Sequence, residues 1–514
     1  MRRKRNAAAI YVEVKLRDVR LVRNGRVILR DVSWTVRPGE RWVLAGGNGA
    51  GKTQLLKLLA GSVWPTPTGR ETRSYRWRHE TFSTPLEVKD EIGYVGAERQ
   101  DKYARYGWNH TVEQIVGTGL YRTDIPLDSL SAGDRKRIAA VLKRLGVEAL
   151  AQRRLLSLSY GERRLALLAR TLASGSKLLL LDELLNGLDD ANRRHALRWL
   201  EHTTGSRLPW VLTTHRVEDV PSGVTHVLVL EKGRVVYRGK VRPTGTGARA
   251  ALQRWLHTDH DRPHGAQRRH RPTRIGRPLV KLVNASVYLD ETQALQDISF
   301  EVRKGECWIV HGRNGSGKTT LLRTLYGDHG VAVGGRVERA GIESGVPLQV
   351  FKTRVGLVAP HLQTDHPQEL TVAEVLQSGR HASIGLNDPP SAADRAAAKR
   401  ALDFFGLGQL AARALVELSY GQLRRVLFAR AWVRRAQLLL LDEAFAGVDG
   451  PTRRELLAHV QQAIEQGTAV IMATHHRSEW PLLATHELEL AGGRARYCGP
   501  VRSALRPMHG VSAK

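Results

Sequence analysis

Cysteine is nearly absent from this sequence: only Cys307 and Cys498 occur in 514 residues. Two isolated thiols exclude a disulfide scaffold, a zinc module and an iron–sulfur domain, and they fit a reducing compartment such as the cytoplasm. Long apolar runs are lacking too. No stretch approaches the ~18 uncharged apolar residues of a membrane-crossing helix, so no transmembrane segment is expected. The first residues, Met1-Arg2-Arg3-Lys4-Arg5, are basic, but Glu13, Lys15, Arg17 and Asp18 arrive before any apolar core, so the segment does not read as a secretory leader. Acidic residues are scarce beside basic ones, 50 against 80, for a net charge of +30. That balance suits an anionic partner, a nucleic acid or ribosome or a membrane surface. Much of the excess is arginine scattered over both halves, so nucleic acid or ribosome is the lesser reading.

What is present begins with Gly46-Gly47-Asn48-Gly49-Ala50-Gly51-Lys52-Thr53. The apolar run Trp42-Val43-Leu44-Ala45 before it reads as a buried strand, and Gln54-Leu55-Leu56-Lys57-Leu58-Leu59 after it as a helix. A glycine loop between strand and helix cradles phosphate with backbone N–H groups and the helix N-terminus. Gly46, Asn48, Gly49, Gly51, Lys52, Thr53 and Gln54 are the nucleotide-binding candidates. Lys52 would reach the β- and γ-phosphates and Thr53 would ligate Mg²⁺.

The whole order recurs after a change of composition. Residues 242–278 are rich in Arg, His, Pro, Gly and Thr and read as a flexible basic linker between domains 12–241 and 279–502. The linker histidines His257, His260, His264 and His270 are too irregularly spaced to suggest a metal site. Beyond it, Gly312-Arg313-Asn314-Gly315-Ser316-Gly317-Lys318-Thr319 is a second phosphate loop, with Gly312, Asn314, Gly315, Gly317, Lys318, Thr319 and Thr320 as candidates. Lys318 lies 266 residues past Lys52 (318 minus 52), and Ser419, Glu443 and His475 lie 260 past Ser159, Glu183 and His215 (419 minus 159, 443 minus 183, 475 minus 215). A repeat of that length is two whole domains. One loop match arises by chance in roughly a few per cent of chains this long; two in register do not.

The remaining motifs supply chemistry. Leu178-Leu179-Leu180-Leu181 and Leu438-Leu439-Leu440-Leu441 read as strands covered on both faces, each ending in Asp-Glu. Asp182 and Asp442 are the Mg²⁺-associated carboxylates beside Thr53 and Thr319. Glu183 and Glu443 are the candidate general bases. His215 and His475 each follow an apolar strand and are candidate γ-phosphate contacts. Gln100 and Gln363 each follow a shorter strand by five residues (100 minus 95, 363 minus 358). Ser159 with Gly161, and Ser419 with Gly421, open helices whose N-termini suit an anion.

Phosphate loop, Gln, Leu-Ser-Tyr-Gly, a leucine run ending in Asp-Glu, Gly-x-Asp and His, taken twice, resembles the ATP-binding cassette (ABC) ATPases over residues 12–240 and 279–500. The resemblance implies an α/β fold of two P-loop nucleotide-binding domains, each a mainly parallel core sheet with an antiparallel β subdomain and a helical subdomain. It implies Mg-dependent hydrolysis of ATP to ADP and phosphate at two composite sites of an intramolecular cassette dimer. One would use Lys52, Thr53, Asp182, Glu183, Gln100 and His215, closed by Ser419 and Gly421; the other Lys318, Thr319, Asp442, Glu443, Gln363 and His475, closed by Ser159 and Gly161. The family's adenine-stacking aromatic falls near Arg23 in the first half and near Tyr288 in the second. Ile28-Leu29-Arg30-Asp31-Val32-Ser33-Trp34, Gly39-Glu40-Arg41-Trp42, Leu158-Ser159-Tyr160-Gly161-Glu162 and Asn186-Gly187-Leu188-Asp189 are similar to the ModF/PhrA group, linked to molybdate transport or photorepair. Inner-membrane permease subunits, and a place on the cytoplasmic membrane face, are the implied setting. The alternatives are a ribosome-associated ABC-F-like factor, disfavoured by a short linker without a charged helical arm, and a repair-linked ATPase.

Overall fold

The computed structural model of the chain describes residues 10–241 and 278–502, apart from 24, 48, 97–101, 104, 105, 127, 128, 159, 187, 189, 204, 205, 215, 290, 344, 345, 419, 435, 446, 447, 449 and 475, and also residues 250, 252, 253 and 255. Two compact units divide near residue 262.

The first unit is built on a six-stranded sheet. Its strands are β3 (Arg41–Ala45), β6 (Ile92–Val95), β7 (Leu178–Leu181), β8 (Trp210–Thr214), β9 (His226–Glu231) and β10 (Arg234–Lys240). Their order is β6-β7-β8-β3-β9-β10, parallel except for the β9–β10 hairpin. All four leucines of β7 are buried, as expected of a strand covered on both faces. A smaller antiparallel sheet holds β1 (Glu13–Arg23), β2 (Arg26–Val36), β4 (Thr72–Trp77) and β5 (Glu80–Phe82), ordered β2-β1-β4-β5. The helices Val112–Leu120 and Ala132–Leu145 open with capping boxes at Thr111 and Ser131.

Residues 62–90 are rich in Pro, Thr and Arg, yet they contain β4 and β5. Arg73 hides the pattern, because a charged residue stands at an inward position. It is buried, its Nη1 donates to the carbonyls of Val63 (2.7 Å) and Leu58 (3.2 Å), and its guanidinium lies 4.5 Å from the Trp64 ring centre. Leu252, inside the segment 242–278, is fully buried in the core of the first unit.

The second unit repeats the plan. Its main sheet contains β13 (Cys307–His311), β15 (Val355–Val358), β16 (Leu438–Asp442), β17 (Ala469–Ala473), β18 (His486–Ala491) and β19 (Arg494–Pro500), ordered β15-β16-β17-β13-β18-β19. A three-stranded sheet orders β12 (Thr292–Val302), β11 (Val280–Leu289) and β14 (Arg336–Arg339). The helices Val372–Gly379 and Ala392–Phe404 again carry capping boxes, at Thr371 and Ser391. Among the described residues no helix is long and apolar enough to cross a membrane.

Candidate nucleotide sites

In each unit three neighbouring parallel strands end on one edge of the main sheet. The phosphate loop leaves the end of β3 or β13, the Asp-Glu pair the end of β7 or β16, and β8 or β17 lies between them. The register sets Leu44 beside Thr213 in the first unit and Val310 beside Ala473 in the second.

The two loops share one backbone shape. Gly46 and Gly312 both have φ 147°, and Gly51 and Gly317 both have φ 101°. A Cβ on Gly46 would stand 2.2 Å from the Leu230 carbonyl oxygen, and on Gly312 2.2 Å from that of Leu490, so no side chain fits there. Gly51 and Gly317 cap the helices Lys52–Ala60 and Lys318–Tyr326 without any side-chain hydrogen bond. The capping-box helices satisfy their first N–H groups internally. These two leave theirs for an anion.

Lys52 Nζ donates to the carbonyls of Gly46 (2.8 Å) and Gly47 (3.0 Å), and Lys318 Nζ to those of Gly312 (2.9 Å) and Arg313 (3.1 Å). Both ammonium groups are thereby held across their loops. In the second loop the side-chain amide of Asn314 and the Ser316 hydroxyl are buried without a hydrogen-bond partner, which suits a ligand rich in acceptors. Gln54 is half-buried and Thr320 buried, each in the first turn of its helix.

Thr53 Oγ1 donates to Asp182 Oδ2 at 2.7 Å, and Thr319 Oγ1 to Asp442 Oδ1 at 3.2 Å. A hydroxyl and a carboxylate are hard oxygen donors, and Mg²⁺ is commonly held by one or two such groups together with substrate phosphates. Among the described residues no group of three or more His, Cys, Asp or Glu could hold a metal alone. The donor set therefore fits an ion shared with bound phosphates.

The two aspartates sit in different surroundings. Asp182 accepts from Thr53, from Tyr94 Oη (3.1 Å) and from Thr213 Oγ1 (2.8 Å). At the matching places of the second unit stand Leu357 on β15 and Ala473 on β17, which have no hydroxyl. Burial, and then the neighbouring Glu443 carboxylate, push the Asp442 carboxyl up to about 7.

Glu183 and Glu443 both adopt left-handed backbone, φ 49° and 42°. For a non-glycine residue this costs on the order of 1 kcal/mol or more and marks an over-determined site. The Glu183 amide donates to Thr213 Oγ1 (2.7 Å), and its carboxylate Oε2 accepts from Asn186 Nδ2 (2.9 Å). Burial raises the Glu183 pKa above its ordinary value against the pull of Lys52. Glu443 donates its amide to the Ala473 carbonyl (3.0 Å).

Sequence reasoning missed Arg164 and Arg424. Both are buried, and Arg164 Nη1 donates to the Glu183 carbonyl. The signal lay in their repetition at a spacing of 260 (424 minus 164), each five residues past the motif serine. Of the other candidates, Gly161 and Gly421 are buried in the first turns of the helices Tyr160–Ala173 and Tyr420–Trp432. Gln363 is buried with its Nε2 lacking a partner. Arg23 is exposed at the end of β1, and Tyr288 is 55% exposed on β11. In register Arg23 pairs with Arg26, and it is Leu289, paired with Thr292, that ends β11 in the same way, so Tyr288 lies one position off. Asn48, Gln100, Ser159, His215, Ser419 and His475 lie outside the described residues.

Two phosphate loops, each beside a strand ending in Asp-Glu, agree with the family match. The chain belongs to the ABC transporter family, whose model matches residues 29–186 and 295–446, and it is a tandem ABC ATPase. It is similar to the ABC transporter ATP-binding protein ModF of Escherichia coli (strain K12), at 29% identity over 90% of this chain and 94% of that one. An uncharacterised ABC transporter ATP-binding protein of Schizosaccharomyces pombe is 26% identical over 91% of this chain and 95% of that one. Among solved structures, a model of ribosome-bound archaeal Pelota and ABCE1 matches with TM-score 0.59 at 21% identity, over 95% of this chain and 78% of that one, a likeness of fold.

Proposed function

We propose that this chain binds MgATP at both phosphate loops and hydrolyses it, acting as the ATP-binding component of a transport system, of molybdate or another importer type, with permease subunits at the membrane. The observation that carries the ATPase reading is the doubled geometry. In each unit a lysine is pinned across a glycine loop, beside an uncapped helix N-terminus and a Thr–Asp pair. Lys52 and Lys318 orient the terminal phosphates. Thr53 with Asp182, and Thr319 with Asp442, would hold the metal. Mg²⁺, when bound, offsets charge on the phosphate oxygens. Glu183 and Glu443 take the proton of the attacking water, and Gln100, Gln363, His215 and His475 contact water or γ-phosphate. The left-handed backbone at both glutamates supports a fixed carboxylate direction.

The proposal includes the cross-cassette pairing that family membership supports, Ser419 and Gly421 with the Lys52 loop, Ser159 and Gly161 with the Lys318 loop. The transport role is supported by similarity to ModF. Binding is tested by Lys52→Ala with Lys318→Ala, which should abolish retention of a labelled ATP analogue; undiminished retention would end the reading. Affinity purification tests the role. Recovery of a membrane permease supports it, and salt-resistant recovery of ribosomal subunits would replace it.

A further inference from the structure

A cleft of about 990 Å³ opens in the second unit, away from its phosphate loop in sequence, and includes Arg380, Arg400, Phe404, Trp432, Arg434 and Gln462. It runs along the helix Ala392–Phe404 and meets the C-terminal ends of Tyr420–Trp432 and Gly450–Glu465. Three of its residues are arginines, and among the described residues no Asp or Glu lines it.

Arg434 is the unusual member. Its Nε, Nη1 and Nη2 are all buried and none has a hydrogen-bond partner. Protein interiors rarely leave such atoms unsatisfied, and an unpaired buried cation costs several kcal/mol. The one carboxylate that acts on it electrostatically is already engaged. Asp394 accepts from the Ser391 amide (2.9 Å) and hydroxyl (2.6 Å) and pairs with His381 (3.1 Å) and Arg380 (3.4 Å). Burial lowers the Arg434 pKa to about 10, so the group stays charged at neutral pH. Beside it Phe404 and Trp432 stack with ring centres 5.7 Å apart and planes 17° apart, and Phe404 is 40% exposed. The first unit has no counterpart: Ser174 occupies the matching place, 260 residues earlier (434 minus 174), and its hydroxyl donates to the Thr171 carbonyl (2.7 Å).

We propose that this cleft binds a small organic oxyanion, a phosphate or carboxylate carried on a flat ring, with the oxyanion on Arg434 and the ring against Phe404 and Trp432. A planar guanidinium pairs with either head group through two parallel hydrogen bonds, and the cleft volume is that of a small-molecule site. The helix ending at Trp432 begins at Tyr420, so the ligand would sit at the opposite end of the helix that opens with the serine motif.

The test uses the full chain carrying Lys52→Ala and Lys318→Ala, so that the phosphate loops do not compete and the outcome is independent of the ATPase reading. Phenyl phosphate, benzoate and inorganic phosphate are titrated by calorimetry. The expected result is saturable binding of phenyl phosphate or benzoate at one site per chain, at least tenfold weaker in Arg434→Gln and weakened in Phe404→Ala. The tighter of the two identifies the head group. Equal binding of inorganic phosphate would overturn the ring contact, and no saturable binding, or unchanged affinity in Arg434→Gln, would overturn the site. A second measurement needs no ligand. Arg434→Met should raise the melting temperature by removing an unpaired buried cation; a fall would show that the guanidinium has a structural partner and would also overturn the proposal.

Discussion

The Thr213 hydroxyl donates to Asp182 Oδ1 at 2.8 Å, while Ala473 stands in register beside Asp442 where that hydroxyl would be. The loss of one oxygen atom, with that of the Tyr94 hydroxyl, makes two sites of the same sequence motif electrostatically unequal. In the first the carboxylate is held by three hydroxyl donors. In the second it leans on Thr319 alone among the described hydroxyls and sits against Glu443 in a buried place.

That difference is measurable as stability. The Asp442 carboxyl is raised to about 7 in the folded chain, against about 4 for an unfolded aspartate. The folded state therefore holds a proton that the unfolded state releases. The resulting stabilisation is fully present below about pH 4 and is lost as pH rises through about 7, at most a few kcal/mol. Without nucleotide, the melting temperature should fall from pH 5 to pH 7.5 more in the wild type than in Asp442→Asn. Parallel pH profiles for the two proteins would show that Asp442 does not titrate in this range.

Exchanging the hydroxyls should exchange the behaviour. Thr213→Ala removes a donor to Asp182 and the acceptor of the Glu183 amide, and should cost about 1–3 kcal/mol in denaturant unfolding of the first unit. Ala473→Thr, alone or with Leu357→Tyr, should lower the pH at which the second unit loses its extra stability. No shift in that pH would refute the assignment of the asymmetry to these hydroxyls.

Gly46 offers a steric check on the loop. Its φ of 147° and the 2.2 Å approach of a Cβ to the Leu230 oxygen leave no room for alanine. Gly46→Ala should weaken ATP-analogue binding at the first loop at least tenfold, read by equilibrium dialysis in a Lys318→Ala background. Wild-type binding would show that the loop adjusts freely.

Much of this was legible in the sequence because the decisive groups are contiguous. The loops from Gly46 to Thr53 and from Gly312 to Thr319 each carry their conformation in their own glycines, and the leucine runs announce doubly covered strands. The asymmetry was not legible in this way. Thr213 and Ala473 lie about thirty residues from the aspartates they flank, and only the parallel register of β7 with β8 and of β16 with β17 brings them alongside. Arg73 concealed β4, since its guanidinium is met by carbonyls and a ring that become neighbours only on folding. The left-handed backbone at Glu183 and Glu443 has no mark in residue type, because glutamate seldom adopts it.

We propose that the glutamates after the metal-associated aspartates are the bases of an ATPase, and the mechanism turns on that role. It is tested most directly by steady-state turnover and ATP affinity in the Glu183→Gln, Glu443→Gln double variant. We expect kcat to fall by at least ~100-fold, with ATP bound about as tightly as in the wild type. Turnover at the wild-type rate in that variant would contradict the account.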